Sequence, residues 1–274
     1  MAVANSTAPR PVPIKRRKRK RLAPGWVPDQ HGAWAMVIVP LVLGIVLGGP
    51  AWIHLPLTGI WLVGYFGFYA AGLWLKSRRR QKYFPPVRAY GLIAVAFGLW
   101  ILMQQVDLVT WLPLYLPLLV TSLVCSHRRK DRSLLNDTVL VLATSLMLPV
   151  AYYASAGWAG DNWTGVWIAF GLVVLYFFGT VLYVKTVIRE RGSRGYLLGS
   201  IGFHWGLVAT GPLLALVIPA TVTWVDAGLF SAFFAILAVR SQVVPRTRAT
   251  PKQLGIGEIF ASVALTVLLI VVFM

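Results

Sequence analysis

Apolar residues in this chain run in stretches far longer than one helix of a water-soluble domain, and the charged residues gather between them. Residues 30–75, 89–127, 133–184 and 195–239 contain no Lys or Arg, and a last apolar run covers 253–274. A helix rises about 1.5 Å per residue, so about 20 residues cross a hydrocarbon core roughly 30 Å thick. Each of the four stretches, 39 to 52 residues long, fits two crossings joined by a tight turn, and the final run fits one. The pattern predicts spans near 33–49, 54–75, 89–106, 108–126, 135–156, 163–184, 196–217, 221–239 and 256–274. The expected fold class is therefore all-α: a polytopic integral membrane helix bundle of about nine transmembrane helices.

Charge orients this bundle. All 26 Lys and Arg residues fall at one end of the predicted spans, together with Asp29, Asp131, Asp137, Glu190 and Glu258, whereas Asp107, Asp161 and Asp226 occupy three of the four turns at the other end. Basic loops are retained in the cytoplasm, which predicts a cytoplasmic N-terminus, a C-terminus outside and a multi-pass protein of the cell (plasma) membrane. Aromatic residues mark both interfaces, with Trp52, Trp111, Trp158, Trp163 and Trp224 at the outer ends and Trp26, Trp34, Trp74 and Trp205 at the inner ends. Composition agrees: 58% hydrophobic and 12% charged residues stand far from the soluble mean of about 45–50% and ~25%. The domain organisation expected is a disordered basic cytoplasmic tail over 1–28 and a transmembrane helical domain over 29–274.

The tail holds Pro9, Pro11, Pro13, Pro24 and Pro28 around the run Lys15 to Arg21, a composition that buries no core. In a soluble protein such a run points to nucleic acid. On a membrane chain the anionic leaflet is the simpler partner, so the partners expected are the lipid bilayer, with anionic lipids at the basic tail and loops, and no nucleic acid. Gly44 with Gly48, Gly195 with Gly199 and Gly202 with Gly206 are small-xxx-small pairs able to bring helix backbones together. Pro40, Pro117, Pro149 and Pro212 fall inside or near spans and are expected to kink them, freeing carbonyls that neighbours must satisfy. The single cysteine, Cys125, excludes an internal disulfide. No oligomeric state follows from the pattern.

Candidate chemistry sits at the inner ends. Span one opens with Gln30-His31-Gly32-Ala33-Trp34-Ala35-Met36, and span six closes with Gly179-Thr180-Val181-Leu182-Tyr183-Val184-Lys185-Thr186-Val187-Ile188-Arg189-Glu190-Arg191. On these two segments the chain resembles the YwiC-like family of polytopic membrane proteins, a resemblance that implies the membrane bundle and brings no molecular activity with it. The layout of nine helices with polar loops two-three, four-five and six-seven on one side also resembles that of UbiA-type intramembrane prenyltransferases. That resemblance implies Asp-rich motifs on loops two-three and six-seven, where Mg²⁺ bridges carboxylates to a diphosphate. Here loop two-three has no acidic residue and loop six-seven only Glu190.

Read physically, Asp29 caps span one and His31 sits in its first turn. Lys185 and Arg189 share a helix face, so they either snorkel to lipid phosphates or hold an anionic ligand. Asp137, where span five begins, either pairs with a cation, Arg132 being near in sequence, or caps the helix, or else faces a central cavity and contacts Lys185 or a bound cation. His204 lies well inside span seven, and an ionisable group there is a functional candidate. No other histidine lies at matching depth for a bis-histidine haem. No HExxH, CxxC, GxSxG or P-loop pattern occurs, so no metal or other cofactor is assigned. The function expected is a membrane binding, assembly or transport component. Its cytoplasm-facing polar pocket, built from His31, Asp137, Lys185, Arg189 and His204, takes an anionic or lipid-like small molecule. The alternative is a UbiA-like prenyltransferase relative lacking the Asp-rich motifs.

Overall fold

The computed structural model describes residues 25–28, 33–247 and 249–274. The expected tail as far as residue 24, the segment 29–32 with Asp29 and His31, and Arg248 lie outside the described residues. Among the described residues there are eleven α-helices and no strand: α1 (Ala33–Gly48), α2 (His54–Lys76), α3 (Phe84–Gln104), α4 (Leu112–His127), α5 (Leu134–Ser145), α6 (Met147–Ala156), α7 (Trp163–Ile188), α8 (Arg194–Val208), α9 (Thr210–Val217), α10 (Trp224–Val243) and α11 (Pro251–Phe273). With α5–α6 and α8–α9 each forming one crossing, eight segments are long and apolar enough to span a membrane, and α1 adds a shorter apolar helix of 16 residues. The protein is thus a multi-pass membrane helix bundle.

Proline sets both interrupted crossings. A proline inside a helix lacks the N–H for its i−4 carbonyl and clashes with it. Pro149 stands four residues after Ser145, where α5 stops, and Pro212 four after Val208, where α8 stops. The Val208 carbonyl so released accepts a hydrogen bond from Ser231 Oγ of α10 at 2.8 Å. Ser231→Ala is expected to cost about 1 kcal/mol, measured as a lower melting temperature in detergent; an unchanged melt would mean that this carbonyl finds another donor. Helices α1 and α4 run unbroken through Pro40 and Pro117.

The centre of the bundle is the α5–α6 crossing and α7, with 72% and 56% of their apolar windows buried, against 11% for α2 and for α3. Helix α1 lies against α5, α6, α7 and α11; α2, α3 and α4 pack together on one flank, and α8, α9 and α10 on the other. The main core joins Leu43, Leu148, Val166, Tyr176, Phe230 and Leu269 from these helices. Leu92, Met103, Phe260 and Val271 stand 65–79% exposed, an arrangement that water would penalise and that the hydrocarbon core of a bilayer accommodates.

Glycine decides how closely α1 meets α6. A Cβ on Gly44 would lie 2.3 Å from the Leu148 carbonyl oxygen, and one on Gly48 would lie 2.5 Å from Ser155 Oγ. Ser155 Oγ donates to the Gly48 carbonyl at 2.9 Å. The other two sequence pairs do not act this way, because nothing approaches within 4 Å of a Cβ at Gly195, Gly199, Gly202 or Gly206. All four lie exposed on α8.

Among the described residues, Trp26 and Phe273 lie at opposite ends of the bundle. Trp26, at the end of the expected tail, packs edge-on against Tyr90 of α3, whose hydroxyl donates to the Trp26 carbonyl. At the far end Asn162 Nδ2 donates to the Phe273 carbonyl at 2.6 Å. That end also holds Trp111, Trp158, Trp163 and Trp167 in a run of stacked or tilted ring contacts, and His54, whose Nδ1 accepts from the Ala51 N–H and whose Nε2 donates to the Ala151 carbonyl, both at 2.9 Å.

Several helices extend beyond the apolar windows at the basic end. Helix α7 reaches Ile188, α10 reaches Val243 and α11 begins at Pro251. Backbone hydrogen bonding does not stop at the first charge; a cap stops it. Thr250 Oγ1 accepts from the Gln253 N–H while Gln253 Oε1 accepts from the Thr250 N–H, a capping box that starts α11.

Candidate functional site

Two cation–carboxylate pairs lie inside the basic end, both braced on α7. In the first, Lys185 is 5% exposed, and its Nζ stands 2.7 Å from Asp137 Oδ2 at the start of α5. The ammonium also donates to the Arg132 carbonyl at 2.9 Å. Arg132, the cation nearest Asp137 in sequence, thus contributes its backbone oxygen, and Lys185 contributes the charge. Neighbouring bonds fix where α5 begins: Ser133 Oγ accepts from the Asn136 N–H, Asn136 Nδ2 donates to the Asp131 carbonyl, and Ser122 Oγ of α4 donates to Asn136 Oδ1 at 2.6 Å.

The remaining predicted residues stand apart from this contact. Arg189 follows α7 one turn beyond Lys185 and is exposed. His204 of α8 is 2% exposed, with Nδ1 2.7 Å from the Ser200 carbonyl. Its ring lies against Gly179 of α7, where a Cβ would come 3.2 Å from Nε2. His31 lies outside the described residues. The structure therefore brings Asp137 and Lys185 together, buries His204 between α8 and α7, and leaves Arg189 at the surface.

The second pair was not read from the sequence. Arg240, near the end of α10, places Nη1 2.8 Å from Glu258 Oε1, about two turns into α11. Glu258 Oε2 accepts from Thr180 Oγ1 at 2.9 Å and from the Tyr176 hydroxyl at 3.2 Å, both on α7. The guanidinium carbon sits 4.4 Å from the centre of the Tyr183 ring, a cation–π contact. The Arg240–Glu258 contact is electrostatic rather than a directed hydrogen bond, and Arg240 Nε and Nη2 are buried without hydrogen-bond partners. Buried guanidinium donors left unpaired are costly.

Arg240 lines a cleft of about 420 Å³ with Tyr183, Val244, Thr247, Gln253 and Leu254. The cleft lies where α7 and α10 end and α11 begins. Val244 and Leu254 supply apolar wall, Gln253 and Thr247 polar surface, and Arg191 reaches the rim by donating from Nη2 to the Thr247 carbonyl at 2.9 Å. One signal for this pair was present in the sequence: Arg240 directly follows one predicted span and Glu258, of opposite charge, lies in the first turn of the next. Among the described residues, no three His, Cys, Asp or Glu side chains are grouped to hold a metal ion.

Comparison with known proteins follows the same outline. Residues 27–152 match a family described as YwiC-like protein. A Bacillus subtilis strain 168 protein named uncharacterized protein YwiC is 35% identical over 187 residues, which cover 65% of this chain and 73% of its own length. An uncharacterized protein of Haemophilus influenzae strain Rd is 27% identical over 245 residues, 89% of this chain and 97% of its own. No solved structure matches.

Proposed function

This chain belongs to the YwiC-like family, and we propose that it is a binding component of the cell membrane that takes the anionic headgroup of an amphiphile at Arg240, with its basic end in the cytoplasm. The observation that carries this reading is a guanidinium inside the bundle whose Nε and Nη2 lack partners beside an open cleft. Those two nitrogens form one edge of the guanidinium, spaced to grip two oxygens of one carboxylate or phosphate. Glu258 engages Nη1 and is itself fixed by Thr180 and Tyr176, so it orients the guanidinium plane; the Nε–Nη2 edge is covered by protein here, and a ligand's oxygens reach it when the side chain turns toward the cleft. The apolar wall beside that edge suits the start of an acyl or prenyl chain.

In this reading the wider polar end assists. Lys185 and Asp137 brace α5 on α7, and the exposed Arg189 and Arg191 add positive field at the rim, favouring anions over neutral headgroups. The positive-inside distribution of the loops supports the cytoplasmic assignment. Prenyl transfer on the same scaffold has less support. It needs clustered carboxylates free to hold Mg²⁺ on a diphosphate, whereas Asp137 and Glu258 lie on different helices and each faces its own cation.

Thermal melting of the purified protein in neutral detergent tests the proposal. Decyl phosphate and decanoate are expected to raise the melting temperature and decanol to leave it unchanged; saturation near 100 times Kd corresponds to about 2.7 kcal/mol. Removing both charges, as Arg240→Gln with Glu258→Gln, avoids leaving a lone buried carboxylate and is expected to weaken the anion response by roughly tenfold or more. An equal response to decanol, or a full anion response in the double variant, rules the site out.

A further inference from the structure

We infer that the turns following α2 and α4 together form a second anion site, for a phosphate group, separate from the Arg240 cleft and independent of it. Both helices end in the same way. After α2, the Arg78 N–H donates to the Leu75 carbonyl and the Arg79 N–H reaches back to the Trp74 carbonyl at 2.9 Å. After α4, the Arg129 N–H donates to the Ser126 carbonyl and the Lys130 N–H to the Cys125 carbonyl at 2.7 Å. This closure needs a left-handed residue just past the helix, a position that glycine fills at least cost.

The chain puts arginine there. Arg78, Arg79 and Arg129 have φ of 59°, 59° and 57°, whereas α6 stops on Gly157 at φ 65°. Side chains other than glycine and asparagine are uncommon in that region and strained in it. Strain of this kind concentrates where a side chain has a task. The tasks that attach to position alone do not need these three residues. Lys76 and His127 already complement the two helix dipoles from the last turns, and Arg80, Lys82, Arg88, Arg128, Lys130 and Arg132 keep both loops basic.

All three arginines line one cleft of about 480 Å³, together with Leu75, Lys76 and His127. The turns are tied across it by Lys76 Nζ and Asp131 Oδ2, 2.6 Å apart. The Arg79 guanidinium lies 5.7 Å from the centre of the Trp74 ring. Asp131 is engaged by Lys76, so the three arginines line the cleft with no carboxylate among its lining residues. Guanidinium forks gathered at one cleft are suited to the oxygens of a phosphate monoester. That phosphate comes either from a lipid headgroup at the membrane surface or from a soluble phosphate.

The test uses the full chain and two probes: inorganic phosphate added to protein in neutral detergent, and phosphatidylcholine vesicles with and without phosphatidic acid. Binding is read calorimetrically, and the melting temperature is taken without any phosphate. The variant Arg78→Gly/Arg79→Gly/Arg129→Gly relieves all three left-handed positions, so it is expected to melt higher than wild type while binding phosphate roughly tenfold more weakly or worse. The triple lysine variant keeps the charge and retains part of the binding. Arg129→Gln reads the same loss if the glycine variant does not fold, and Arg240→Gln/Glu258→Gln leaves this site unchanged. Binding of inorganic phosphate assigns a soluble ligand; binding only with phosphatidic acid assigns a lipid. Undiminished binding in the glycine variant or in Arg129→Gln, or no binding of either probe by wild type, overturns the inference.

Discussion

Replacing Lys185 with methionine is expected to destabilise the folded protein by about 3–5 kcal/mol, because the Asp137 carboxyl group at the start of α5 loses the only cation within ion-pair distance among the described residues. The loss reaches further than one contact, since the Lys185 ammonium also holds the Arg132 carbonyl and so couples the α4–α5 loop to α7. The cost belongs to the stranded carboxylate more than to the bond. Lys185→Met combined with Asp137→Asn is therefore expected to regain most of it, the neutral amide being far cheaper to leave at this depth. Melting temperatures of the two single variants and the double variant, taken in one detergent, give the coupling. Additive losses would show that the two groups do not depend on each other.

The second large effect is expected at Gly44. In an exposed helix Gly→Ala gains about 1 kcal/mol from propensity alone, yet Gly44→Ala is expected to lose about 3 kcal/mol. A Cβ there lies 2.3 Å from the Leu148 carbonyl oxygen and 2.7 Å from the Ala151 Cβ, so the obstacle includes the backbone of α6, which has no rotamer to change. Helix α1 would have to move away from the centre of the bundle. Gly202→Ala, with nothing within 4 Å, serves as the matched control and is expected to be neutral or mildly stabilising. Equal effects at the two positions would contradict the close α1–α6 packing.

These glycines also show where sequence reading stops. Gly44 with Gly48 and Gly202 with Gly206 have the same spacing, but only the first pair meets a partner. The difference lies in α6, which presents the Leu148 carbonyl, Ala151 and Ser155 to α1, and in α8, which turns its glycines outward. Spacing within one helix contains no information about the face of another. The number of crossings was legible because hydropathy over a span does not depend on partners. Their edges were less so, since a charge ends an apolar window without ending a helix. The prolines were half legible: Pro149 and Pro212 end helices four residues before them, while Pro40 and Pro117 lie in continuous helices.

The candidate site divides in the same manner. The Asp137–Lys185 contact belonged to one of the open readings, and the two groups stand 2.7 Å apart. Arg240 and Glu258 were missed because each was assigned singly to the nearest basic loop. The Thr250–Gln253 capping box marks where α11 begins and thereby places Glu258 about two turns inside it, a signal the sequence did contain. The unpartnered edge of Arg240, in contrast, depends on Glu258, Thr180, Tyr176 and Tyr183 converging from two other helices, which no local pattern reveals.

The central claim is that this edge holds an anionic headgroup in the membrane. Native mass spectrometry of the protein released from mild detergent, wild type beside Arg240→Gln/Glu258→Gln, tests it most directly. The account predicts a retained carboxylate- or phosphate-bearing amphiphile on the wild type that is lost from the double variant while bulk lipid adducts stay the same. The same retained species on both proteins, or none on the wild type after reconstitution with anionic lipid, would contradict it.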